Sequence, residues 1–235
     1  MKRNYVIKIG GSLIFTDDKK INSKKITDFT NIIKNRSDYE ILVIVCGGGI
    51  IAREFINAVR LFNGSEALCD IFGIEISRVN SKLLIASLQD IAYPLVPKSI
   101  EELSIALLSK KIIVMGGLQP GQSTTSVALE VAEFIRADEL VILTDVNGIY
   151  DKDPKKFRDA TLFKQLNYEE LQDILWKSSE VNQAAAGEYR IFDAVSLQIL
   201  KRSKIRALIT SGKELSEFKK FWQGKEDIIG TVISN

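Results

Sequence analysis

A chain of 235 residues with 46% apolar and 26% charged residues has the composition of an ordinary soluble protein. Its 32 lysines and arginines nearly balance its 30 aspartates and glutamates, so the formal charge of +2 gives no general attraction to nucleic acid. Histidine is absent, which excludes catalytic triads and metal sites that depend on imidazole.

The cysteines and the apolar runs indicate the cellular compartment. Cys46 and Cys69 lie far apart without a CxxC spacing, so we expect free thiols and neither a zinc site nor a disulfide framework. Lys8 interrupts the apolar segment near the start, and no apolar run approaches the ~20 residues that cross a bilayer. We therefore expect a cytoplasmic protein that binds neither a membrane nor nucleic acid.

Short β-branched runs alternate with segments of helical period along most of the chain. In chain order, the first two thirds predict strands at residues 5–9, 40–46, 93–96, 111–115 and 139–144. The same region predicts helices at residues 50–62, 70–89, 100–109 and 124–135. The C-terminal part predicts helices at residues 167–175 and 187–202 and strands at residues 205–210 and 228–233.

Two of the predicted helices carry a stripe expected to face the core. The stripe of the first comprises Ile51, Phe55, Ala58 and Phe62, and that of the second comprises Ile74, Ser77, Leu84 and Leu88. Apolar strands separated by helices indicate parallel strands covered on both faces, hence an α/β sandwich. Because the chain has no flexible linker and no internal repeat, we expect a single domain over residues 1–235.

Glycine loops follow three of the predicted strands, at the edge where ligands bind such sheets. In KIGGS, residues 8–12, bare backbone N–H groups and the charge of Lys8 suit a phosphate, although two glycines also suit a plain tight turn. In GGGIIAR, residues 47–53, the glycines open a helix whose N-terminus favours an anion, and Arg53 can reach the same point. Neither loop has the Walker or dinucleotide spacing.

The third loop, GGLQPGQST, adds side-chain donors just before a helix. Ser123 and Thr124 taken alone are equally suited to capping that helix. Three glycine loops that share one edge nevertheless predict a cradle for several phosphates, so we expect a polyphosphate ligand.

The loop TDVNGIYDKDP follows the strand at residues 139–144. Thr144, Tyr150 and Asp153 suit the edge and face of a nucleobase or the hydroxyls of a ribose, but aspartate beside proline is also common in exposed turns. The role of Asp70 also stays open, because a carboxylate at the start of a helix can cap that helix or can accept hydrogen bonds from sugar hydroxyls.

These loops, in this order, resemble the amino acid kinase family, and within it the archaeal-type uridylate kinases. The resemblance covers nearly the whole chain, and its most specific segments are GGLQPGQST, SLQDIAY and NGIYDKDP. It implies a three-layer αβα sandwich around a mainly parallel central sheet. It also implies transfer of the ATP γ-phosphoryl group to UMP with Mg²⁺, and a homohexamer built as a trimer of dimers. In this family the N-terminal part binds mainly the acceptor and the C-terminal part mainly ATP.

The resemblance assigns site residues one by one, with Lys8 and Arg53 in the catalytic centre. The implied ATP site comprises Lys8, Ile9, Gly10, Gly11, Ser12, Gly49, Arg53, Thr144, Tyr150 and Asp153. The implied UMP site comprises Gly48, Asp70, Leu118, Gln119, Pro120, Gly121, Gln122, Ser123 and Thr124. It implies no protein ligand to the metal ion.

One position departs from part of the family. Some relatives carry an aspartate early in the helix after the third loop, where this chain has Thr125 and Ser126, so we expect no carboxylate base. The missing histidine counts against isopentenyl phosphate kinase, a relative that uses one. The alternatives that stay open are another small-acceptor kinase, of the acetylglutamate, carbamate or phosphonate type, and a nucleotide-binding regulatory protein without turnover.

Overall fold

The fold is built on a central, mostly parallel sheet. The computed structural model describes residues 2–179 and 191–235. In these residues the sheet has seven strands in the order β3-β2-β1-β4-β6-β7-β5. The strands are Arg3–Ile9 (β1), Tyr39–Cys46 (β2), Ile113–Met115 (β3), Glu139–Thr144 (β4), Gln165–Leu166 (β5), Ala207–Ser211 (β6) and Gly230–Ile233 (β7). From β3 to β6 all neighbours are parallel, and only the β6–β7 pair is antiparallel.

Helices cover both faces of this sheet. They are Ser23–Lys34 (α1), Gly49–Leu61 (α2), Glu66–Leu88 (α3), Ile100–Leu107 (α4), Thr124–Phe134 (α5), Tyr168–Ser179 (α6), Ala194–Ser203 (α7) and Ser216–Trp222 (α8). One apolar core joins α4, α5, α6 and α7 to the sheet, and a second joins α1, α3 and α8 to its other face. Alternate residues of β1 enter the two cores, as Val6 and Ile7 do, because successive strand side chains point to opposite faces.

The predicted αβα sandwich with a mainly parallel sheet is confirmed. The strand predicted at residues 139–144 matches β4, and those at residues 5–9 and 40–46 fall within β1 and β2. The pattern missed α1, α8 and the two-residue β5. Of the helix predicted at residues 187–202, residues 187–190 lie outside the described part of the chain, and the described helix α7 begins only at Ala194, after its cap Asp193.

The strand predicted at residues 93–96 is wrong. Only a single bridge between Ala92 and Ile112 forms there, with Tyr93 N donating to Ile112 O at 2.8 Å. Pro94 follows at once, and proline has no N–H to extend a strand.

The stripe predicted for α2 is also wrong. Its buried residues are Ala52, Ile56 and Val59, whereas Phe55 is 44% and Phe62 80% exposed. The helix is apolar on two adjacent faces, and only its packing against α3 selects the buried one. The stripe predicted for α3 is confirmed, because Ile74, Ser77, Leu84 and Leu88 are all buried.

The described helices include none that combines the length and the apolar character of a membrane span. The single domain over residues 1–235 stays a prediction.

Candidate active site

The loops predicted to bind phosphates lie along one rim of the sheet. β1 lies between β2 and β4, and β3 flanks β2 in parallel, so their carboxyl ends open side by side. Gly10 N donates to Leu143 O at 3.0 Å and Gly47 N to Ile9 O at 3.0 Å, which continues the strand pairing into the first loops. The prediction that these loops share an edge is therefore confirmed.

The first two glycine loops touch backbone to backbone. A Cβ atom on Gly11 would lie 2.2 Å from Gly49 N and 2.5 Å from Gly47 O. Gly49 has a φ of +70°, and a Cβ there would lie 2.4 Å from Gly11 O. No side chain larger than hydrogen fits between these loops. Their backbone N–H groups are therefore left close together, which is the arrangement that binds phosphate oxygens.

Buried polar side chains of α3 hold the second and third loops. Asn80 Nδ2 donates to Gly47 O at 2.9 Å and to Gly48 O at 3.1 Å. Ser77 Oγ accepts from Gly117 N at 2.7 Å and donates to Ile74 O at 2.6 Å. The pattern of the sequence did not predict this role for Ser77 and Asn80. A signal was available, because polar residues on the buried face of a predicted helix need partners.

Two charged residues of α3 fix the path of the third loop. Arg78 donates from Nε to Gly117 O at 3.1 Å and from its terminal nitrogen to Leu118 O at 3.1 Å. Asp70 Oδ2 accepts from Gly121 N at 2.8 Å. Asp70 is not the helix cap that the sequence left open, because Ser65 caps α3 and Asp70 lies in its second turn. Its carboxylate therefore stands at the third loop, where it can also accept from a ligand hydroxyl.

The hydroxyl residues that open α5 divide into two roles. Ser123 is the cap, since its Oγ accepts from Ser126 N at 3.1 Å. Thr124 faces the second loop, with Oγ1 3.5 Å from the point that a Gly47 Cβ would occupy. Gln122 turns toward Glu130, to which its Nε2 donates at 3.0 Å. The remaining residues of this loop, Leu118, Gln119 and Pro120, are partly or fully exposed.

Lys8 lies at the centre of the rim and is only 6% exposed. Burial lowers its pKa to about 8, while the neighbouring Cys46 and Asp145 raise it. Burial also raises the pKa of the Cys46 thiol, so this thiol is neutral at neutral pH. The Asp145 carboxylate is therefore the negatively charged neighbour that raises the pKa of Lys8 at neutral pH.

Other predicted residues complete the rim. The Ser12 hydroxyl is buried and has no hydrogen-bond partner among the described residues, which suits a group that meets a ligand oxygen. Thr144 ends β4, is buried, and donates from Oγ1 to Asp145 Oδ1 at 3.4 Å. Arg53 lies one turn into α2 and is partly exposed. The side chain of Ile9 is buried in the core, so only its backbone is available to a ligand.

Tyr150 and Asp153 lie farther along the loop after β4. Tyr150 pairs with Leu162 in an isolated bridge, and Asp153 Oδ1 accepts from Lys155 N at 2.9 Å. Asp153 thus has the turn role that the sequence left open. The contact of both residues with a nucleotide stays a prediction.

The fold and this rim together form an arrangement that suits phosphorylated ligands at the carboxyl edge of a parallel sheet. The family model described as "Amino acid kinase family" matches residues 4–211. The chain therefore belongs to the amino acid kinase family.

Among relatives, the chain is 45% identical over 192 residues to a uridylate kinase of Sulfolobus acidocaldarius, covering 82% of this chain and 83% of the relative. It is 40% identical over 229 residues to a uridylate kinase of Methanobrevibacter smithii, covering 97% of each. The solved uridylate kinase of Archaeoglobus fulgidus matches with a TM-score of 0.82 at 32% identity, covering 98% of this chain and 100% of that one.

Two glycines with positive φ allow a matched test of the rim. We expect Gly49→Ala to destabilise the protein by about 1–3 kcal/mol more than Gly224→Ala, since the first forces a Cβ onto the backbone of Gly11. Gly224 has a φ of +73° and nothing within 4 Å of the added atom, so it controls for backbone strain alone. Urea denaturation measures both. Equal midpoints would show that the contact between the loops is not tight.

Proposed function

We propose that this chain is a UMP kinase, which transfers the γ-phosphoryl group of ATP to UMP and yields UDP and ADP. The proposal depends on one observation above all. The loops after β1 and β2 touch each other at Gly11 and Gly49, and Thr124 of the third loop lies beside Gly47. Lys8 Nζ lies 4.0 Å from the point that a Cβ on Gly10 would occupy, so the buried lysine belongs to the same rim. Relatives named uridylate kinase that align over nearly the full chain support this substrate pair.

In this proposal the donor and the acceptor occupy adjacent parts of the rim. ATP lies against the KIGGS loop, Gly49 and the loop that begins at Thr144. UMP lies between Gly48, Asp70 and the third loop, with Asp70 accepting from the ribose hydroxyls. The shared boundary is the contact of Gly11 with Gly47 and Gly49, where the two phosphate chains meet.

The transfer is an in-line displacement at the γ-phosphorus. A phosphate oxygen of UMP forms the new bond to this phosphorus, while the bond from phosphorus to the bridging oxygen breaks and its electron pair leaves with ADP. The attacking oxygen is already anionic, so no side chain need remove a proton. This agrees with Thr125 and Ser126 in place of a carboxylate. Lys8 stabilises the moving phosphoryl group, and Arg53 and the backbone N–H groups align the two anions.

Mg²⁺ enters as part of the substrate, the magnesium complex of ATP. Among the described residues no three His, Cys, Asp or Glu side chains cluster to hold a metal ion. In this proposal phosphate oxygens and water carry the metal ion, and its charge neutralises the triphosphate.

We also propose that the protein works in the cytoplasm, in pyrimidine nucleotide synthesis, as a homohexamer. Several exposed apolar side chains on the packed helices α2 and α3 support self-association, because they would be covered in an interface. They are Phe55, Leu61, Leu68, Ile71 and Val79. Light scattering on the purified protein measures the mass of the assembly.

A panel of acceptors tests the function. With purified protein, ATP and Mg²⁺, coupled detection of ADP release should give turnover with UMP and little with N-acetylglutamate, carbamate or a phosphonate. Turnover with one of these instead would reassign the acceptor. Saturable binding of ATP or UTP without ADP release would favour the regulatory alternative.

We expect Lys8→Ala to fold and bind UMP but to lose on the order of 100-fold or more in kcat, because it removes a preorganised charge from the transferring group.

In the wild-type enzyme kcat/KM for ATP should fall as the pH rises through about 8, where Lys8 loses its proton. A flat profile between pH 7 and pH 9.5, or an active alanine variant, would contradict this role.

Chelation of the metal distinguishes an ion that is bound with the substrate from an ion that stabilises the fold. We expect excess EDTA to abolish ADP release without changing the melting temperature, since the described residues form no metal cage. A drop of the melting temperature on chelation would point to a bound structural metal. Mg²⁺ added back in excess should restore turnover, which controls for irreversible damage.

A further inference from the structure

The second glycine loop packs against α3 at two points. A Cβ atom on Gly48 would lie 3.2 Å from Gly73 O, so the backbone of the loop lies close to the backbone of the helix there. About two turns farther along α3, the Asn80 side chain lies against the same loop and is only 2% exposed. Neither Gly73 nor Asn80 is among the residues that the family resemblance assigns to the site.

The Asn80 amide binds two successive carbonyl groups of this loop. Its Nδ2 donates to Gly47 O and to Gly48 O, and only the NH2 end of an amide can donate to two carbonyl oxygens. In a trans peptide the C=O and the N–H point in opposite directions. The N–H groups of Gly48 and Gly49 therefore point away from Asn80. Within the described part of the chain, neither of these N–H groups forms a hydrogen bond.

The backbone angles of the loop form an anion-binding nest, a concave group of successive backbone N–H groups. Gly48 lies in the right-handed helical region, with φ −77° and ψ −31°, and Gly49 has a φ of +70°. Successive residues of opposite hand turn their N–H groups to one side, where these groups can surround an anion. The nest also begins α2, and the first N–H groups of a helix have no partner within it.

The need to satisfy buried polar groups explains the contact with Asn80 only in part. Gly48 caps α2, and the carbonyl group of a helix cap already accepts the first hydrogen bond of its helix. The bond from Asn80 is therefore a second bond to Gly48 O. Its effect is to fix a direction, since a loop of glycines tolerates many other backbone angles.

We propose that Asn80 is the positioning residue of this nest. By holding the carbonyl groups of Gly47 and Gly48, it directs the N–H groups of Gly48 and Gly49 toward the phosphates of both substrates. This deepens the proposed function and depends on it. Gly48 belongs to the proposed UMP site and Gly49 to the proposed ATP site, so one buried side chain of α3 sets the point at which the two phosphate chains meet.

Asn80→Leu keeps the branched shape of the side chain and removes its donor. We expect the KM values for UMP and for ATP both to rise about tenfold or more, because the N–H groups that hold the two ligands lose their direction. A rise of only one KM value would refute the shared role.

Ser81→Ala is the matched control on the same helix. Ser81 is buried as Asn80 is, but its hydroxyl donates to Ser77 O of its own helix at 2.9 Å and forms no bond to a loop within the described residues. We expect this variant to change either KM value by less than about twofold, since it leaves the contact with the second loop intact.

A purely structural role of Asn80 has a different signature. A loss of folded protein would lower kcat at saturation, in step with the melting temperature, and would leave both KM values in place. Asn80→Ala removes the donor without adding bulk, so it should raise the same two KM values if leucine prevents folding.

Titration with inorganic tripolyphosphate tests the nest without turnover. We expect calorimetry to show that the wild-type protein and Ser81→Ala bind this anion, and that Asn80→Leu binds it about tenfold or more weakly. Equal binding by all three proteins, or no binding by the wild-type protein, would refute the nest.

The two measurements separate the inference from the proposed function. If the wild-type protein releases ADP with UMP but Asn80→Leu behaves like Ser81→Ala, the role of Asn80 is refuted and the kinase stands. If kcat falls while both KM values stay, Asn80 is structural and the inference is again refuted. If the wild-type protein shows no turnover with UMP, the proposed function fails, and the tripolyphosphate titration alone decides the role of Asn80.

Discussion

The contact between Gly11 and the Gly47–Gly49 turn is the constraint on which the rest of the rim depends. The two loops approach until a single added Cβ would overlap the opposite backbone. Such an approach is possible only because β1 and β2 are adjacent and parallel, so that both loops leave the sheet at the same level. It brings backbone donors of separate segments to one point, where phosphates of two ligands can be bound next to each other.

A single helix, α3, supplies the framework for this constraint. Asn80 binds carbonyl groups of the second loop, Ser77 and Arg78 bind the third loop, and Asp70 joins its tip. Four hydrogen-bonding side chains on one rigid element therefore fix two loops relative to each other. Changes in α3 far from a ligand are expected to act on the site, because hydrogen bonds to the loop backbone set the direction of its donors.

The electrostatic potential at the rim depends on neighbouring charged groups, since the net charge of the chain is only +2. Burial lowers the pKa of Lys8, and the Asp145 carboxylate raises it. Cys46 stays neutral at neutral pH, so Asp145 is the charged neighbour there. A lysine that is buried but still charged is held in place and little hydrated, so it interacts strongly with a phosphoryl group.

The parallel sheet, the glycine loops and their common rim could be predicted from the amino-acid sequence, because apolar strands and glycine-rich strand ends are local patterns. It also located Lys8 at a strand end. Three features became visible only in the folded chain: α2 buries Ala52, Ile56 and Val59, Asp70 binds Gly121, and Asp145 pairs with Lys155. These are contacts between segments distant in the chain, or a choice between two equally apolar faces. No local pattern encodes them, since they depend on which surfaces the assembled sheet brings together.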